Sequence, residues 1–305
     1  MNQFTISELQ RYSGISVHSI RAWEKRYNAL TPNRTEGNTR YYDGNQLRRL
    51  LNIASLMNGN HKISELCSMS DSKLSKLLQS KLEDEKWQLE NDEFLVSQMI
   101  ASAMGFDESL FDKIFYRAMA TYGLDLAYIK VIYPTVLRLG VLWSIEGISP
   151  AQEHFATHLI KQKLLSTIDI LPINQNTKAN WLLFLPEGEF HEIGLLMANY
   201  LIRSAGQRSA YLGANIPFDS IKDTVKAINP SSLLFFLVAK DGIERDQNLV
   251  TSLVKAFPSQ QIFIGGEANR IKQLKKHKNL IFLSSINEFK EQLKQTDINL
   301  LRKKK

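Results

Sequence analysis

A large aromatic side chain and an adjacent acid–imidazole pair occur in the segment LWSIEGISPAQEHF, residues 142–155. Trp143 offers a flat apolar ring, and Glu153 with His154 offers a carboxylate beside an imidazole. His158 follows His154 by four residues, which permits a pair of metal ligands on one face of a helix. No clear third ligand accompanies that pair, and residue type alone favours a core position for Trp143. Core packing, metal binding and contact with a ligand are therefore all open for this segment.

A second group of candidate residues lies near the carboxyl ends of predicted strands. In the loop PEGEFHEIG, Glu189 precedes His191 by two residues, and Gly194 lies inside the following helix. The later segment FIGGEAN places Gly265 and Gly266 after a predicted strand, where the lack of side chains permits close approach of a bound group. A lone histidine in a loop is usually a surface residue, so the loop alone does not establish a site.

Strand and helix patterns alternate five times between residues 177 and 300. The predicted strands are Trp181–Leu185, Ser209–Leu212, Leu233–Val238, Gln261–Ile264 and Leu280–Leu283. The predicted helices cover 192–204, 218–228, 246–257, 269–276 and 286–300. Five such units predict a parallel, flavodoxin-like sheet, whose ligands bind outside the carboxyl ends of the strands. The histidine loop and the glycine pair both fall at that edge.

Residues 94–176 have a helical pattern, and the breaks in it predict four helices that form a bundle. The predicted breaks are Gly105, Gly123, Pro134 and residues 147–150. Trp143 ends the third helix. Ser149 caps the fourth helix and Pro150 begins it, which puts Glu153 and His154 in its opening turns.

The N-terminal 75 residues predict a helix-turn-helix followed by a hairpin wing. Thr5 with Glu8 forms a capping box for the first helix, and Ser16 caps a second helix from about Val17 to Tyr27. A turn at Glu36-Gly37-Asn38 then joins the two strands of the wing. The side chains predicted to meet DNA are His18, Ser19, Arg21, Lys25, Arg26, Tyr27, Arg34, Arg40 and Tyr41. Tyr27, like Trp23, also suits a packing role.

Composition and charge agree with a protein that binds nucleic acid. The 305 residues carry a net charge of +7, and residues 1–62 hold nine Lys or Arg against four Asp or Glu. The single cysteine excludes an internal disulfide framework, the N-terminus lacks the features of a secretory signal, and no apolar run approaches a membrane span. These features predict a cytoplasmic protein without a membrane partner.

The segment IRAWEKRYNALTPNRTEGNTRYY resembles the MerR superfamily of bacterial transcription regulators over residues 1–75. That resemblance implies binding to a double-stranded DNA operator as a dimer. Asn28 and Asn38 stand where glycine is common, and asparagine tolerates the left-handed backbone. No long coiled-coil helix follows. Residues 70–93 are charged and weakly periodic, which predicts a linker helix or loop, so self-assembly as a dimer or tetramer is expected from the C-terminal half.

The C-terminal segments resemble the cobalamin-binding domain of methionine synthase and its relatives, whose signature is Asp-x-His-x-x-Gly, then Ser-x-Leu, then Gly-Gly. Glu189, His191, Gly194 and the glycine pair match it, with Glu for Asp. Phe236 stands where the signature has serine, near the nucleotide tail of the cofactor, and its ring could fill part of that tunnel. Together with Trp-x9-Glu-His in the bundle, the order of domains resembles the cobalamin-dependent, light-responsive MerR-type repressors, the CarH/LitR group.

This resemblance implies a residue role at each candidate position. His191 would be the lower axial ligand of cobalt, Trp143 would cover the upper face, and Glu153 with His154 would contact the 5′-deoxyadenosyl ligand. Ser144 stands where some light-sensing relatives carry a histidine. The cofactor that the family uses is adenosylcobalamin. The implied protein is a non-enzymatic photoreceptor and repressor that releases DNA when light cleaves the cofactor.

The implied fold is multidomain, with α and α/β parts. Its domains are a winged helix-turn-helix at 1–75, a linker at 76–93, a four-helix bundle at 94–176, a doubly wound (Rossmann-type) cobalamin-binding domain at 177–300 and a basic tail at 301–305. Two alternatives stay open: a MerR-type regulator whose degenerate domain does not bind or switch with cobalamin, and a corrinoid methyl-transfer protein.

Overall fold

The structure is a computed structural model that describes residues 4–35, 38–57, 61–83, 92–144, 148–174, 180–239 and 242–302. It divides into two compact units, Met1–Leu159 and Ile160–Lys305. The finer division into five segments stays a prediction.

The first unit is helical apart from a small wing. Its elements are α1 (Ile6–Ser13), α2 (Val17–Tyr27), β1 (Asn33–Arg34), β2 (Arg40–Tyr41), α3 (Gly44–Leu56), α4 (Ile63–Ser68), α5 (Asp71–Glu83), α6 (Asp92–Met104), α7 (Glu108–Ala127), a π turn (Tyr128–Ile132), α8 (Tyr133–Ser144) and α9 (Pro150–Asp169), which continues into the second unit.

The predicted helix caps of the N-terminal domain are confirmed. Glu8 N donates to Thr5 Oγ1 (3.3 Å) and Thr5 N donates to Glu8 Oε2 (2.7 Å), which completes the capping box. Ser16 Oγ accepts from Ser19 N (3.0 Å) at the start of α2. Helix α2 ends at Tyr27 and is capped by Asn28, whose φ of 55° lies in the left-handed region that asparagine tolerates. Helix α2, the second helix of the predicted helix-turn-helix, therefore has both ends fixed by local sequence.

The wing is shorter than a typical hairpin, with two residues in each strand. Its antiparallel register pairs Arg34 with Arg40, and Asn38 in the connecting turn has a φ of 62°. Glu36 and Gly37 of the predicted turn lie outside the described residues. The pairing sets two guanidinium-bearing residues opposite each other on neighbouring strands.

Helix α6 is the centre of the first unit. All its residues from Phe94 to Met104 are buried, as expected of a helix that is apolar on every face. It packs against α3 of the DNA-binding segment and against α7 and α8. Its buried Gln98 donates through Nε2 to Ser55 Oγ of α3 (3.0 Å). The helix after the wing and the first bundle helix thus share one core.

Two predicted breaks in the bundle differ in outcome. Gly123 does interrupt α7, with φ 68° and ψ 167°. Pro134 does not end a helix. The backbone passes through the π turn into α8, where Pro134 is the second residue and its missing N–H lies in the first turn. The resulting stretch Glu108–Trp143, 36 residues with a mean hydropathy of 1.3 in its most apolar window, is long and apolar enough to cross a membrane. Because it contains the kink and the π turn and packs on α6, we assign it to the bundle core.

The charged segment after residue 70 contains a packed helix rather than a loop. Leu74 and Leu78 of α5 are buried, and α5 contacts α3 and α7. Residues 84–91 of the predicted linker lie outside the described part of the chain.

The second unit is a parallel α/β sheet. Its elements are β3 (Asn180–Pro186), α10 (Ile193–Ser204), β4 (Arg208–Ile216), α11 (Phe218–Ile228), β5 (Ser232–Leu237), α12 (Ile243–Ala256), β6 (Gln261–Gly266), α13 (Ala268–Ile271), β7 (Leu280–Phe282) and α14 (Ile286–Arg302). The strand order β4-β3-β5-β6-β7, with every pair parallel, confirms the flavodoxin-like topology. Leu182, Phe235 and Ile264 are among the fully buried residues of its core.

Two strand ends in this sheet were predicted wrongly. Strand β4 runs to Ile216, where the pattern predicted an end at Leu212. Gly265 and Gly266 are the last two residues of β6 rather than a loop after it. They pair with Phe236 and Leu237 of β5. This pairing extends β6 two residues beyond the predicted strand Gln261–Ile264. Helix α13 is also one turn long, where eight residues were predicted.

Candidate functional site

The loop after β3 presents His191 to solvent while a buried carboxylate holds its ring. Glu189 is 3% exposed, whereas the His191 side chain is 56% exposed. Glu189 Oε1 lies 2.5 Å from His191 Nδ1. Because a carboxylate can only accept, the proton of the neutral imidazole is on Nδ1, and the ring lone pair is on Nε2. This is the arrangement in which proteins orient a histidine for metal ligation.

Backbone amides complete the binding of the same carboxylate. Oε1 also accepts from the N–H groups of Phe190 (2.9 Å) and His191 (3.0 Å). Oε2 accepts from the N–H groups of Val238 and Ala239, each at 2.7 Å, at the carboxyl end of β5. Glu189 therefore ties the loop after β3 to the end of the neighbouring strand.

Three further contacts fix the path of this loop. Gly188, whose φ of 83° suits glycine, donates its N–H to Asn215 Oδ1 (2.9 Å) at the end of β4. Asn215 N donates in turn to the Glu189 carbonyl (3.1 Å). Arg245 of α12 donates to the Glu187 carbonyl (2.9 Å). The histidine is thus presented from a loop anchored to β4, β5 and α12.

The surroundings of Glu189 keep it ionised. Burial on its own raises the pKa of this carboxyl, but the hydrogen bonds from His191, Ala239 and Val238 outweigh burial and lower the pKa from 4.5 to about 2. A lowered pKa stabilises the folded state fully above pH 4.5, and this contribution is lost as the pH falls towards 2.

We expect Glu189→Gln to lower the free energy of unfolding of the C-terminal unit at pH 7 by about 3 kcal/mol, the value that corresponds to this pKa shift. Urea unfolding at pH 7, 4 and 3 measures this free energy. Hydrogen exchange in peptides from residues 180–239 reports the unfolding of the C-terminal unit at each urea concentration. The variant should also lack the wild-type loss of stability below pH 4.5. Parallel pH profiles of the two proteins would contradict this role for Glu189.

A second polar network beside the loop was not predicted from the sequence. Lys161 Nζ of α9 forms an ion pair with Glu192 Oε2 (2.8 Å), and Tyr211 of β4 donates to Glu192 Oε1 (3.2 Å). Burial, followed by the charge and hydrogen bond of Glu192, raises the pKa of Tyr211. These residues are 31 and 19 positions from Glu192, so no local pattern reports their contact.

Apolar side chains are exposed around the histidine. Phe190 is 60% exposed, Val238 42% and Ile243 39%. All three follow or adjoin the carboxyl ends of strands β3 and β5, where ligands of such sheets bind. Exposed apolar groups at one edge mark an interaction surface, and here they lie at the same edge as His191.

The three glycines of the predicted site lie in close packing. A β-carbon on Gly266, whose φ is 149°, would collide with the Leu237 carbonyl. A β-carbon on Gly194 would lie 3.1 Å from Cε1 of Phe236, and one on Gly265 would overlap the same ring. The room that Gly194 and Gly265 leave is therefore filled by the Phe236 side chain.

The Trp-x9-Glu-His residues lie in the first unit. Trp143, near the end of α8, is 51% exposed, so the core position that its residue type favours is wrong. Glu153 and His154 lie in the opening turns of α9, as predicted, and Glu153 Oε2 is 2.9 Å from His154 Nδ1. The His154 and His158 rings meet edge to face, with centroids 6.3 Å apart and an interplanar angle of 69°. Across the described residues, no group of three His, Cys, Asp or Glu is placed to hold a metal ion.

Most residues predicted to meet DNA are accessible. His18, Arg21, Lys25 and Arg26 on α2 and Arg34 and Arg40 on the wing are exposed, and Ser19, Tyr27 and Tyr41 are half-buried. Trp23, in contrast, is buried in the domain core. Arg34 Nη1 donates to Asn38 Oδ1 (2.5 Å), which steadies the wing turn. Helix and wing together offer several guanidinium groups, the side chains best suited to phosphates and guanine.

Arg49 of α3 holds the domain together and was not singled out from the sequence. Its Nε donates to the Ala29 carbonyl after α2 (2.8 Å), and its Nη2 donates to the carbonyls of Cys67 (2.8 Å) and Met69 (3.0 Å). Its Nη1 pairs with Asp71 Oδ1 at 2.5 Å. One side chain thus joins the end of the recognition helix to α4 and α5.

We expect Arg49→Ala to lower the free energy of unfolding of the N-terminal domain by about 2–3 kcal/mol, because several acceptors lose a charged donor at once. The matched control is Arg48→Ala, whose guanidinium reaches Asn45 of its own helix at 3.4 Å. Hydrogen exchange in peptides spanning α3 and α4 under increasing urea measures both. Equal losses in the two variants would rule out the joining role of Arg49.

Comparison with known proteins assigns two segments of the chain to known families. Residues 4–72 match the model of the MerR HTH family regulatory proteins, and residues 95–165 match a B12 binding domain. The HTH-type transcriptional repressor CarH of Myxococcus xanthus is 27% identical over 281 residues, which cover 88% of this chain and 91% of that protein. The chain thus combines a MerR HTH segment with a B12 binding segment and is similar to CarH over most of its length.

A second relative is also similar along most of its length, and a solved structure has the same fold over part of the chain. The HTH-type transcriptional repressor CarA of the same organism is 25% identical over 263 residues, which cover 86% of this chain and 85% of that protein. The monomethylamine corrinoid protein of Methanosarcina barkeri is 12% identical, with a TM-score of 0.53 over 67% of this chain and 99% of that one, which shows the fold. The MerR match contains α2 and the wing, and the B12 match contains Trp143, Glu153 and His154.

Proposed function

We propose that this regulator is a transcriptional repressor whose assembly and operator binding depend on adenosylcobalamin and on light. The two relatives are both named as repressors, and both align along most of their length. The proposed site of action is the cytoplasm, where the operator DNA is. The regulator would not be an enzyme, since its second domain would sense a corrinoid rather than carry a reacting group.

The observation that carries this proposal is the Glu189–His191 pair. A carboxylate that accepts from five N–H groups holds an exposed imidazole at the carboxyl edge of the sheet. His191 would coordinate the cobalt through Nε2, and Gly194, Gly265 and Gly266 would lie beside the bound group. When bound, adenosylcobalamin supplies a cobalt–carbon bond that light breaks.

The proposed role of the bundle is to contact the upper ligand of the corrinoid. Trp143 supports this role because an exposed indole at the end of a helix gains by covering an apolar group. Glu153 and His154 would hydrogen-bond the sugar hydroxyls of the adenosyl group, since their side chains offer acceptors and donors on the first turns of α9.

Assembly would raise DNA affinity by linking DNA-binding domains. Two or four chains joined through their C-terminal halves bring several recognition helices onto one operator, and the second contact becomes intramolecular. Loss of the upper ligand would release the assembly and thereby the operator. This requires no change in α2 or the wing.

A second candidate function is a regulator that no longer binds cobalamin. The Phe236 ring between Gly194 and Gly265 favours it, because that ring takes space beside the histidine loop. A corrinoid methyl carrier is a weaker candidate. Its support is a likeness of fold, and residues 4–72 would have no role in it.

The test is size-exclusion chromatography of the full chain with and without adenosylcobalamin, in the dark and after illumination. Fluorescence anisotropy then measures the affinity of each sample for DNA from the promoter region of the protein's own gene. We expect a larger species and tight DNA binding only in the dark, loaded sample. Hydroxocobalamin in the dark is the control for the upper ligand. The proposal would be contradicted if the protein stays colourless after desalting. It would also be contradicted if the size of the species and the DNA affinity are the same with and without the corrinoid.

A further inference from the structure

Phe236 lies at the point where the two glycines of the site leave room. It is the penultimate residue of β5, and its backbone pairs with Gly265 of β6. Its ring lies against Gly265 and against Gly194 in the first turn of α10. A side chain at either glycine would meet this ring. The glycines therefore form a slot, and the phenyl group of this chain occupies it.

The Phe236 ring fills the slot and does not belong to the main apolar core of the sheet. Strand alternation directs Phe235 and Leu237 into the large apolar cluster, and Phe236 points to the opposite face. The strand is otherwise buried, yet Phe236 is only half-buried.

The slot affects corrinoid binding if His191 is the lower ligand of cobalt. That role of His191 rests on the proposed function. Cobalt in a corrinoid has one coordination position on its lower face. In cobalamin this position can be taken by the benzimidazole base of the molecule's own nucleotide tail. When His191 takes the position, that base must be accommodated elsewhere. A slot floored by two glycines suits a flat aromatic ring, but here the protein's own ring is in it.

We propose that Phe236 determines which corrinoids this site accepts, by excluding the nucleotide base. The chain then binds cobinamide, the corrinoid without the base, more tightly than cobalamin. Cobalamin can enter fully only if Phe236 leaves the slot and exposes its ring, which lowers the affinity by about tenfold or more.

The experiment compares adenosylcobinamide with adenosylcobalamin in the dark, by titration of the visible spectrum and equilibrium dialysis. The proteins are the wild type, Phe236→Ser and Phe190→Ser. Phe190 is an exposed phenylalanine on the histidine loop, so its loss should change both affinities by the same factor. We expect the wild type to prefer the cobinamide. Phe236→Ser should reverse the preference, with cobalamin affinity raised about tenfold or more.

The outcomes separate this proposal from the proposed function. If wild type binds both corrinoids equally and Phe236→Ser leaves the ratio unchanged, Phe236 does not select corrinoids, and cobalamin sensing still stands. If neither corrinoid binds to the wild type or to Phe236→Ser, both proposals are wrong. Hydrogen exchange in α10 and β6 of Phe236→Ser shows whether the sheet has kept its fold.

Discussion

Replacing His191 with alanine should lower the affinity for adenosylcobalamin by more than about 100-fold, because loss of a metal ligand exceeds the 10–100-fold effect of losing a residue that orients one. The fold should survive, since the ring is more than half exposed and the Glu189 contacts to Val238 and Ala239 remain. The measurement is the visible absorbance that stays with the protein after desalting in the dark.

Two variants bracket this result. His158→Ala removes an exposed imidazole that has no proposed contact with the corrinoid and should bind like the wild type. Glu189→Gln keeps the imidazole but loses the ionised acceptor, so its affinity should lie between the two. The fraction of assembled protein in the dark should fall in the same order, from His158→Ala through Glu189→Gln to His191→Ala. Normal uptake by His191→Ala would show that the loop histidine is not a cobalt ligand.

The second large effect is expected at the DNA surface. Arg21→Ala combined with Arg40→Ala should weaken operator binding by about 100-fold or more at moderate salt, because each guanidinium contributes a base or phosphate contact. If both contact phosphates, the slope of log affinity against log salt should fall by about 2. Anisotropy titrations at several salt concentrations measure both quantities.

The control for this variant is Arg208→Ala, an exposed arginine at the start of β4 in the C-terminal unit. It removes one positive charge, half of the change in the double variant, without touching α2 or the wing, so the affinity should be unchanged. If both proteins lose affinity equally, net charge rather than the predicted interface governs binding, and the placement of Arg21 and Arg40 on DNA would be wrong.

Much of the fold follows from short-range patterns. Thr5 and Ser16 mark helix starts by a mechanism that acts within three residues, and helix α11 was predicted with the bounds observed. The parallel sheet follows because five apolar runs alternate with helical patterns. Predictions failed where a neighbour decides the outcome. Gly265 and Gly266 belong to β6 because β5 pairs with them, and Pro134 stays helical because a π turn precedes it.

The candidate site was predicted less evenly. His191, Gly194 and the glycine pair were found through a resemblance, and Glu189 could be named by its spacing from the histidine. The N–H groups of Val238 and Ala239 that hold it are 49 and 50 residues away, so no sequence spacing reports them. Residue type alone favoured a core position for Trp143, which the structure shows to be exposed, because an exposed indole cannot be told from a buried one without its neighbours.

The most direct test of the central claim is electron paramagnetic resonance of the cobalt(II) corrinoid bound to the chain. Protein with ¹⁵N-labelled histidine is compared with unlabelled protein. If the His191 imidazole coordinates the cobalt, the nitrogen splitting changes from a triplet to a doublet on labelling. In labelled His191→Ala protein the doublet is absent. A triplet that persists in the labelled protein would show that nitrogen from the corrinoid's own base is the ligand and would contradict the account.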